Sequence, residues 1–571
     1  MEESKKKIFD RVSMISCLAI GVAVTIQKLY IVSFIQCKAL ATAACDDRLM
    51  VNQAVNILSG EWLGKYTDMT LVKGMFYPLY LALIHRLGGH YFTVTTILYA
   101  MACLLFCMCI RKICKSNVVL LLIYIVMLFN PVMVSSNVFT RIYRCALTPI
   151  QCLLLFAGFF GMYLCIGEKK IKQLFWAIIA GIGYGTMYLT REDTIWVFPF
   201  IFVITVILLV LTQYQKQTMQ KRVINFFIVM TPFLIFGMLT CSVRFMNEKY
   251  YGEWVCNEVS ETKFPDAVRA IYAVEDPEDI DQVSVSRKKI ELLYQNSETL
   301  NIMKDYMEES LVLWTGDDAT EITDAHFYWA LRTAARMAGA YNSSEISNEL
   351  YTRIANEVNQ AMDEGRLQRR NTMPSALMSP YRERYFNAIK ESLFEVFRYL
   401  YDFDGTRLAY EKASEDDGLN GVTLFEELTR EKAFRGEEVT PITSELKHTV
   451  EVLKKIRKLY IGYGAYVWRI AILGTVLAAL YIGIKREWKQ RYFKVWLMQC
   501  AVLLSMVVLA VGIAYTNVTA YSAINASYLS GGYALVLMFE TLSFICSAQI
   551  LLCIYREVRK KGKGAKAEVI E

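Results

Sequence analysis

The run SMISCLAIGVAVTIQKLYIVSFI, Ser13 to Ile35, is followed shortly by CDDRLMVNQAVNILSGEWLGKYTDMTLVKGMFYPLY, Cys45 to Tyr80. A hydrocarbon layer about 30 Å thick needs roughly 20 predominantly apolar residues per helix, and the first run supplies them. A chain that then presents two adjacent carboxylates, Asp46 and Asp47, has passed from lipid into water.

The rest of the sequence agrees with that reading. Its 571 residues are 55% hydrophobic and 13% aromatic, with a mean hydropathy of +0.30. That is too apolar for a soluble protein of this size unless much of it faces lipid. About ten runs are long enough to span: Ser13–Ile35, Phe92–Ile110, Val118–Ser135, Leu147–Ile166, Leu174–Leu189, Ile195–Leu211, Val223–Val243, Tyr466–Ile484, Tyr492–Tyr515 and Leu529–Tyr555. The fifth is short and rich in glycine. The expected fold is an all-α polytopic membrane protein of about ten transmembrane helices.

Basic residues stay on the cytoplasmic side of short loops, and alternate gaps are the basic ones. They carry Lys5, Lys6, Lys7 and Arg11; then Arg111, Lys112 and Lys115; Lys169, Lys170 and Lys172; Lys216, Lys221 and Arg222; Lys485, Arg486, Lys489 and Arg491; and the tail from Arg556 to Lys566. Both termini are therefore expected in the cytoplasm. Residues 1–243 form an N-terminal transmembrane module with a first external loop at 36–91. Residues 244–459 form a mostly helical external domain, and 460–571 a C-terminal transmembrane module with a basic tail. The formal net charge of +7 is mostly this topology signal and implies no nucleic acid. ALATAAC, Ala39 to Cys45, resembles a signal cleavage or lipidation site, but the apolar region before it exceeds the roughly 7 to 15 residues of a signal core. Of fifteen cysteines, Cys256 alone falls in the external domain, so no disulfide framework is expected there.

Within that domain, Ile346, Leu350, Ile354, Val358 and Met362 recur four apart, with Ser343 or Ser344 as cap and Gly365 as stop, which predicts an amphipathic helix. His326–Ala340, Arg384–Tyr401 and Glu445–Leu459 also read as helical. In the first loop, Arg48–Ser59 puts Leu49, Met50, Ala54, Val55 and Leu58 on one side and Arg48, Asn52, Gln53 and Asn56 on the other, a pattern suited to a helix lying along the membrane surface.

Helix capping or a solvated acidic loop would explain Asp46 and Asp47 without function. Their company argues otherwise. Arg141 and Arg144 in NVFTRIYRCALTP, and Arg191, Glu192 and Asp193 in YLTREDTIWVFP, stand at outer span ends where topology does not call for cations. Charges at membrane depth are expensive, so their clustering on one side marks a candidate site. Transfer of a sugar from a lipid phosphate needs a carboxylate to take the acceptor's hydroxyl proton and cations to stabilise the departing phosphate.

The order of acidic pair, surface helix, SGEWLG, LVKG and YPLYLALIHRLG resembles the first external loop of membrane glycosyltransferases of the GT-C fold. Relatives of that family include protein O-mannosyltransferases, the aminoarabinose transferases that modify lipid A, and related bacterial polyprenyl-phosphate-sugar enzymes. TREDTIWVFP resembles a second segment of these bacterial proteins, and VTAYSAINASYLSGGYALVLMF their last external loop. The resemblance implies that Asp46 is the catalytic acidic position with Asp47 its neighbour. It also matches Lys73 to a lysine associated with the donor phosphate, and Arg191 and Asp193 to the second element. On this reading Lys73 and Arg191 clamp the donor phosphate, with Arg144 in reserve, and Glu192 and Asp193 are the second acidic element. Proline usually follows the lysine in such proteins; here Gly74 and Met75 intervene and proline returns at Pro78.

Lys28, late in the first run, reads as snorkelling outward. His85, His90, His326 and His448 lack metal-ligand spacing, so no histidine-based metal site is expected, while the acidic pair leaves a divalent ion open. The leading expectation is an inverting transferase that uses a polyprenyl-phosphate sugar on the external face, with a protein, glycan or lipid acceptor. A transporter or flippase, or a membrane scaffold, are the rivals. Against transport, the charges lie at span ends and the sequence has no duplicated halves.

Overall fold

A computed structural model of the chain describes residues 2–214, 218–278, 280–316, 319–371, 375, 378–408, 413–436, 443–486, 488 and 490–568. Lys216 and Lys489 of the basic gaps lie outside the described residues. Among the described residues, eight helices are long and apolar enough to cross a membrane: Asp10–Val32, Tyr91–Ile110, Arg144–Leu164, Thr194–Gln213, Met219–Tyr251, Ser444–Lys485, Arg491–Thr519 and Ser530–Arg559. On the first of them Leu18, Val22 and Ile26 are 57%, 59% and 59% exposed. Water would penalise such a surface and lipid would not, so the chain has the architecture of a polytopic helical membrane protein.

The two remaining expected spans differ from those eight for separate physical reasons. The third run, expected over Val118–Ser135, is helical only over Asn117–Leu128, because Pro131 cannot continue it and the chain turns into a short 3-10 segment at Pro131–Val134. Three carbonyls at that break accept side-chain donors. The Tyr460 hydroxyl donates to Val126 O at 2.5 Å, the Tyr99 hydroxyl to Met127 O at 2.7 Å, and Lys28 Nζ to Leu128 O. Lys28 does not snorkel outward as its position in the sequence suggests. It is buried beneath the rings of Tyr99 and Phe129, where a cation at a helix C-terminus is favourable.

The glycine-rich fifth run forms the Lys170–Thr190 helix, packed backbone to backbone on Arg144–Leu164. A Cβ at Gly158 would lie 2.4 Å from Ala180 N, and one at Gly183 would lie 2.5 Å from Leu155 N. The glycines that weaken its apolar signal are what permit this approach.

The polar insert has its own core. Phe264, Val268, Ile271, Leu331, Ile354 and Val358 pack together across the helices Phe264–Ala273, Asp324–Met337 and Ser344–Asp363. Ser343 caps the last of these by accepting from Ile346 N at 3.3 Å. Leu350, Ile354, Val358 and Met362 are buried as their spacing predicts, whereas Ile346, in the first turn, is 44% exposed. The next helix, Tyr385–Tyr401, leaves this core and packs on the spans: Tyr401 stacks on Trp468 at 5.9 Å, and a Cβ at Gly464 would meet Tyr401 O.

The segment that seats the acidic pair is a backbone junction. Cys37 N donates to Lys432 O at 2.8 Å, Phe434 N to Cys37 O at 3.0 Å, and Glu415 N to Ala39 O at 2.9 Å, while Lys38 N donates to Thr140 O at 2.8 Å. Residues 37–41 are thereby held between the late insert and the loop that bears Arg141 and Arg144.

Candidate functional site

Four stretches far apart in sequence meet at the end of the bundle that bears the insert: 45–47, 71–74, 140–146 and 190–193. Asp46 holds the N-cap position of the Asp47–Ser59 helix, yet its side chain caps nothing. Its Oδ1 instead pairs with Lys73 Nζ and accepts the Tyr143 hydroxyl at 2.9 Å. Asp46 remains 43% exposed and Lys73 only 9%. Burial raises the Asp46 carboxyl, but Lys73, Tyr143 and Arg141 outweigh burial and hold it at about 2.

Asp47 points the other way. It is fully enclosed, and Arg141 clasps it with Nε at 2.9 Å from Oδ1 and Nη2 at 2.5 Å from Oδ2. Burial pushes its carboxyl up, with Arg141 opposing. The helix behind them is anchored through one side chain of its polar face. Gln53, expected on the polar side, is buried and donates to Thr70 O at 2.9 Å, tying the acidic helix to the loop that carries Lys73.

Gly74 sits where two stretches of backbone meet. A Cβ there would sit 2.3 Å from Leu189 O and 2.8 Å from Thr190 C, so the chain beside Lys73 lies directly on the end of the Lys170–Thr190 helix. That contact sets Lys73 next to the second element.

Arg144 forks onto Glu192, with Nη2 donating to Oε1 at 2.8 Å and Nη1 to Oε2. It also donates through Nη1 to Thr190 O at 3.2 Å and through Nε to the Tyr143 oxygen at 3.2 Å. Burial works to raise the Glu192 carboxyl, and Arg144 overcomes it to leave the group lowered. Arg191 clasps Asp193, with Nε at 2.8 Å from Oδ1, and its Nη1 donates to Ser527 O at 2.8 Å while the guanidinium lies 5.6 Å from the Tyr528 ring. Arg191 and Asp193 therefore brace the loop before the last span, and no hydrogen bond among the described residues links either to Asp46 or Lys73.

The structure thus joins Asp46, Lys73, Arg144 and Glu192 in one hydrogen-bonded chain and holds Asp47 one step behind. The hub is Tyr143, which sequence reasoning passed over. Its oxygen also receives Lys73 Nζ at 3.2 Å, and Arg141 lies 4.6 Å over its ring. The signal was present in RIYR, a phenol between two arginines, but only the cations were weighed. The two aspartates face different cations, and among the described residues no three His, Cys, Asp or Glu side chains gather as a metal site.

No family model matches this chain, and no curated protein or solved structure is detectably similar to it.

Chemically the arrangement offers one half-exposed carboxylate, a lysine and an arginine each balanced by an acid, and a phenol between them. A phosphate arriving here would compete with Asp46 for Lys73 and with Glu192 for Arg144.

Proposed function

We propose that this protein is an integral-membrane, inverting glycosyltransferase of the GT-C type. It would take a sugar from a polyprenyl-phosphate donor and place it on an acceptor at the outer face, with both termini in the cytoplasm and residues 244–459 outside. The supporting observation is the joined set of Asp46, Lys73, Tyr143 and Arg144, drawn from three distant parts of the chain to one end of an apolar bundle.

A carboxylate held at about 2 is a poor base, and Lys73 is the partner that the proposed cycle must remove from it. In the proposed cycle the donor phosphate draws the Lys73 ammonium away, and the Asp46 carboxyl rises as its cation leaves. Asp46 then takes the acceptor's hydroxyl proton while that oxygen bonds to the anomeric carbon. The bond from that carbon to the phosphate oxygen breaks, its electron pair stays on the phosphate, and Lys73 with Arg144 stabilises the added charge. Arg141 keeps Asp47 ionised and fixed, which supports the helix that presents Asp46.

The test uses the full chain in vesicles loaded with polyprenyl-phosphate hexoses and pentoses, with oligosaccharide, lipid and peptide acceptors. Appearance of a glycoside of inverted configuration supports the reading. Uptake or flipping of label with no new glycosidic bond would assign the site to transport instead.

A further inference from the structure

The Asp324–Met337 helix of the insert carries Tyr328 and, four residues on and so on the same face, Arg332. Arg332 is enclosed. Its Nε and Nη2 donate to Asp68 O at 2.9 and 2.7 Å, it pairs with Glu258 at 2.5 Å, and its guanidinium lies 4.8 Å over Phe264 and 5.2 Å over Tyr341. Two polar atoms on this face are nevertheless buried and have no partner among the described residues: Arg332 Nη1 and the Tyr328 hydroxyl.

Leaving a buried polar atom unpaired costs about 1–3 kcal/mol, and folded proteins tolerate few such atoms. Tyr328 is not free to turn the hydroxyl elsewhere, because its ring is set edge-on to Phe264 at 4.7 Å and to Trp329 at 5.3 Å. Burial raises the phenol first, with Arg332 opposing and Glu192 adding to the rise, so the group keeps its proton. Arg332 holds Asp68 O, and its partner Glu258 donates from its backbone N to Leu71 O at 2.8 Å, two residues before Lys73, which sets this face against the loop that carries Lys73.

The charges around that face are already balanced, Arg332 by Glu258 and Asp68 by Arg336. A further anion would face two carboxylates, and a further cation two guanidinium groups. A neutral oxygen fits, accepting from Arg332 Nη1 and exchanging a hydrogen bond with Tyr328.

We propose that Tyr328 and Arg332 Nη1 form a subsite for a hydroxyl of the donor's sugar, by which the insert reads the carbohydrate while Lys73 and Arg144 hold the phosphate. This rests on the transferase reading. Its test compares full-length protein and Tyr328→Phe in nanodiscs, with polyprenyl-phosphate mannose, glucose, galactose and arabinose and with bare polyprenyl phosphate as probes. One neutral hydrogen bond is worth about 0.5–1.5 kcal/mol, so the variant should bind the wild type's preferred lipid-linked sugar about three- to tenfold more weakly. Its affinity for bare polyprenyl phosphate and its thermal midpoint should be unchanged, and in turnover the loss should fall on KM for the donor.

The proposal is overturned if Tyr328→Phe keeps the wild type's preference, as it would were the hydroxyl bonded to ordered water. It is also overturned if the variant weakens both kinds of lipid equally, or if the wild type prefers no sugar-bearing lipid over the bare phosphate. In each case, loss of transfer in Asp46→Asn would still separate this failure from failure of the transferase reading.

Discussion

Lys73 reaches back across 27 residues of chain to pair with Asp46, and the same carboxylate oxygen accepts the Tyr143 hydroxyl at 2.9 Å. The pair is lopsided, because the lysine is buried and the aspartate half open. In the proposed transfer, a donor phosphate would take the lysine and leave the carboxylate facing the acceptor.

Replacing Lys73 with Gln removes one charged contact to the donor phosphate, worth about 1.5–3 kcal/mol, so KM for the lipid-linked sugar should rise about ten- to a hundredfold. The same change frees Asp46 from the cation that lowers it. Its carboxyl should climb from about 2, and the acid limb of the pH-rate profile should move to higher pH. Steady-state rates from pH 3 to 8 measure both effects.

Asp47 has no access to water, and Arg141, which clasps it, is 20% exposed. Asp47→Ala leaves the guanidinium without its anion; breaking a fully buried pair costs about 3–5 kcal/mol, and this partly open one should cost less. The expected result is a clearly lower thermal midpoint in detergent, with Asp47→Ala, Arg141→Ala and the double variant showing a large coupling in a mutant cycle.

Much of this arrangement was legible in the sequence. The apolar runs, the amphipathic repeat from Leu350 to Met362 and the charged span ends all mark themselves by composition or period. What sequence could not give was partnership. Nothing local says that Asp46 turns from its helix to Lys73, that Asp47 is closed in by Arg141, or that Lys28 stays inside to meet a carbonyl at the break before Pro131. Those outcomes depend on which distant loops the backbone junction at residues 37–41 brings together. Gly74 is the instructive position, because its lack of a side chain is a requirement of close packing on Leu189 and Thr190.

Gly74→Ala forces a methyl group against that backbone, 2.3 Å from Leu189 O unless the loop moves. Overpacking of this kind costs about 1–3 kcal/mol. Because Lys73 is the next residue, the variant should also lose affinity for the donor, which separates it from a substitution that only destabilises.

Glu431, in the late insert, accepts from Phe92 N at 2.8 Å, and burial pushes its carboxyl up to about 7, with that hydrogen bond opposing. The unfolded chain releases this proton near 4.5 while the folded chain keeps it to about 7. The folded state therefore binds more protons in between, and stability should fall as pH rises across that window. Thermal midpoints from pH 5 to 7.5 should decline for the native protein and stay flatter for Glu431→Gln.

The most direct measurement is sugar transfer by Asp46→Asn beside the unmodified protein, in the same vesicles and with equal amounts inserted. A general base contributes at least about a hundredfold, so the variant should lose that much or more while binding the lipid-linked donor normally. Transfer by Asp46→Asn at the unmodified rate would contradict the account.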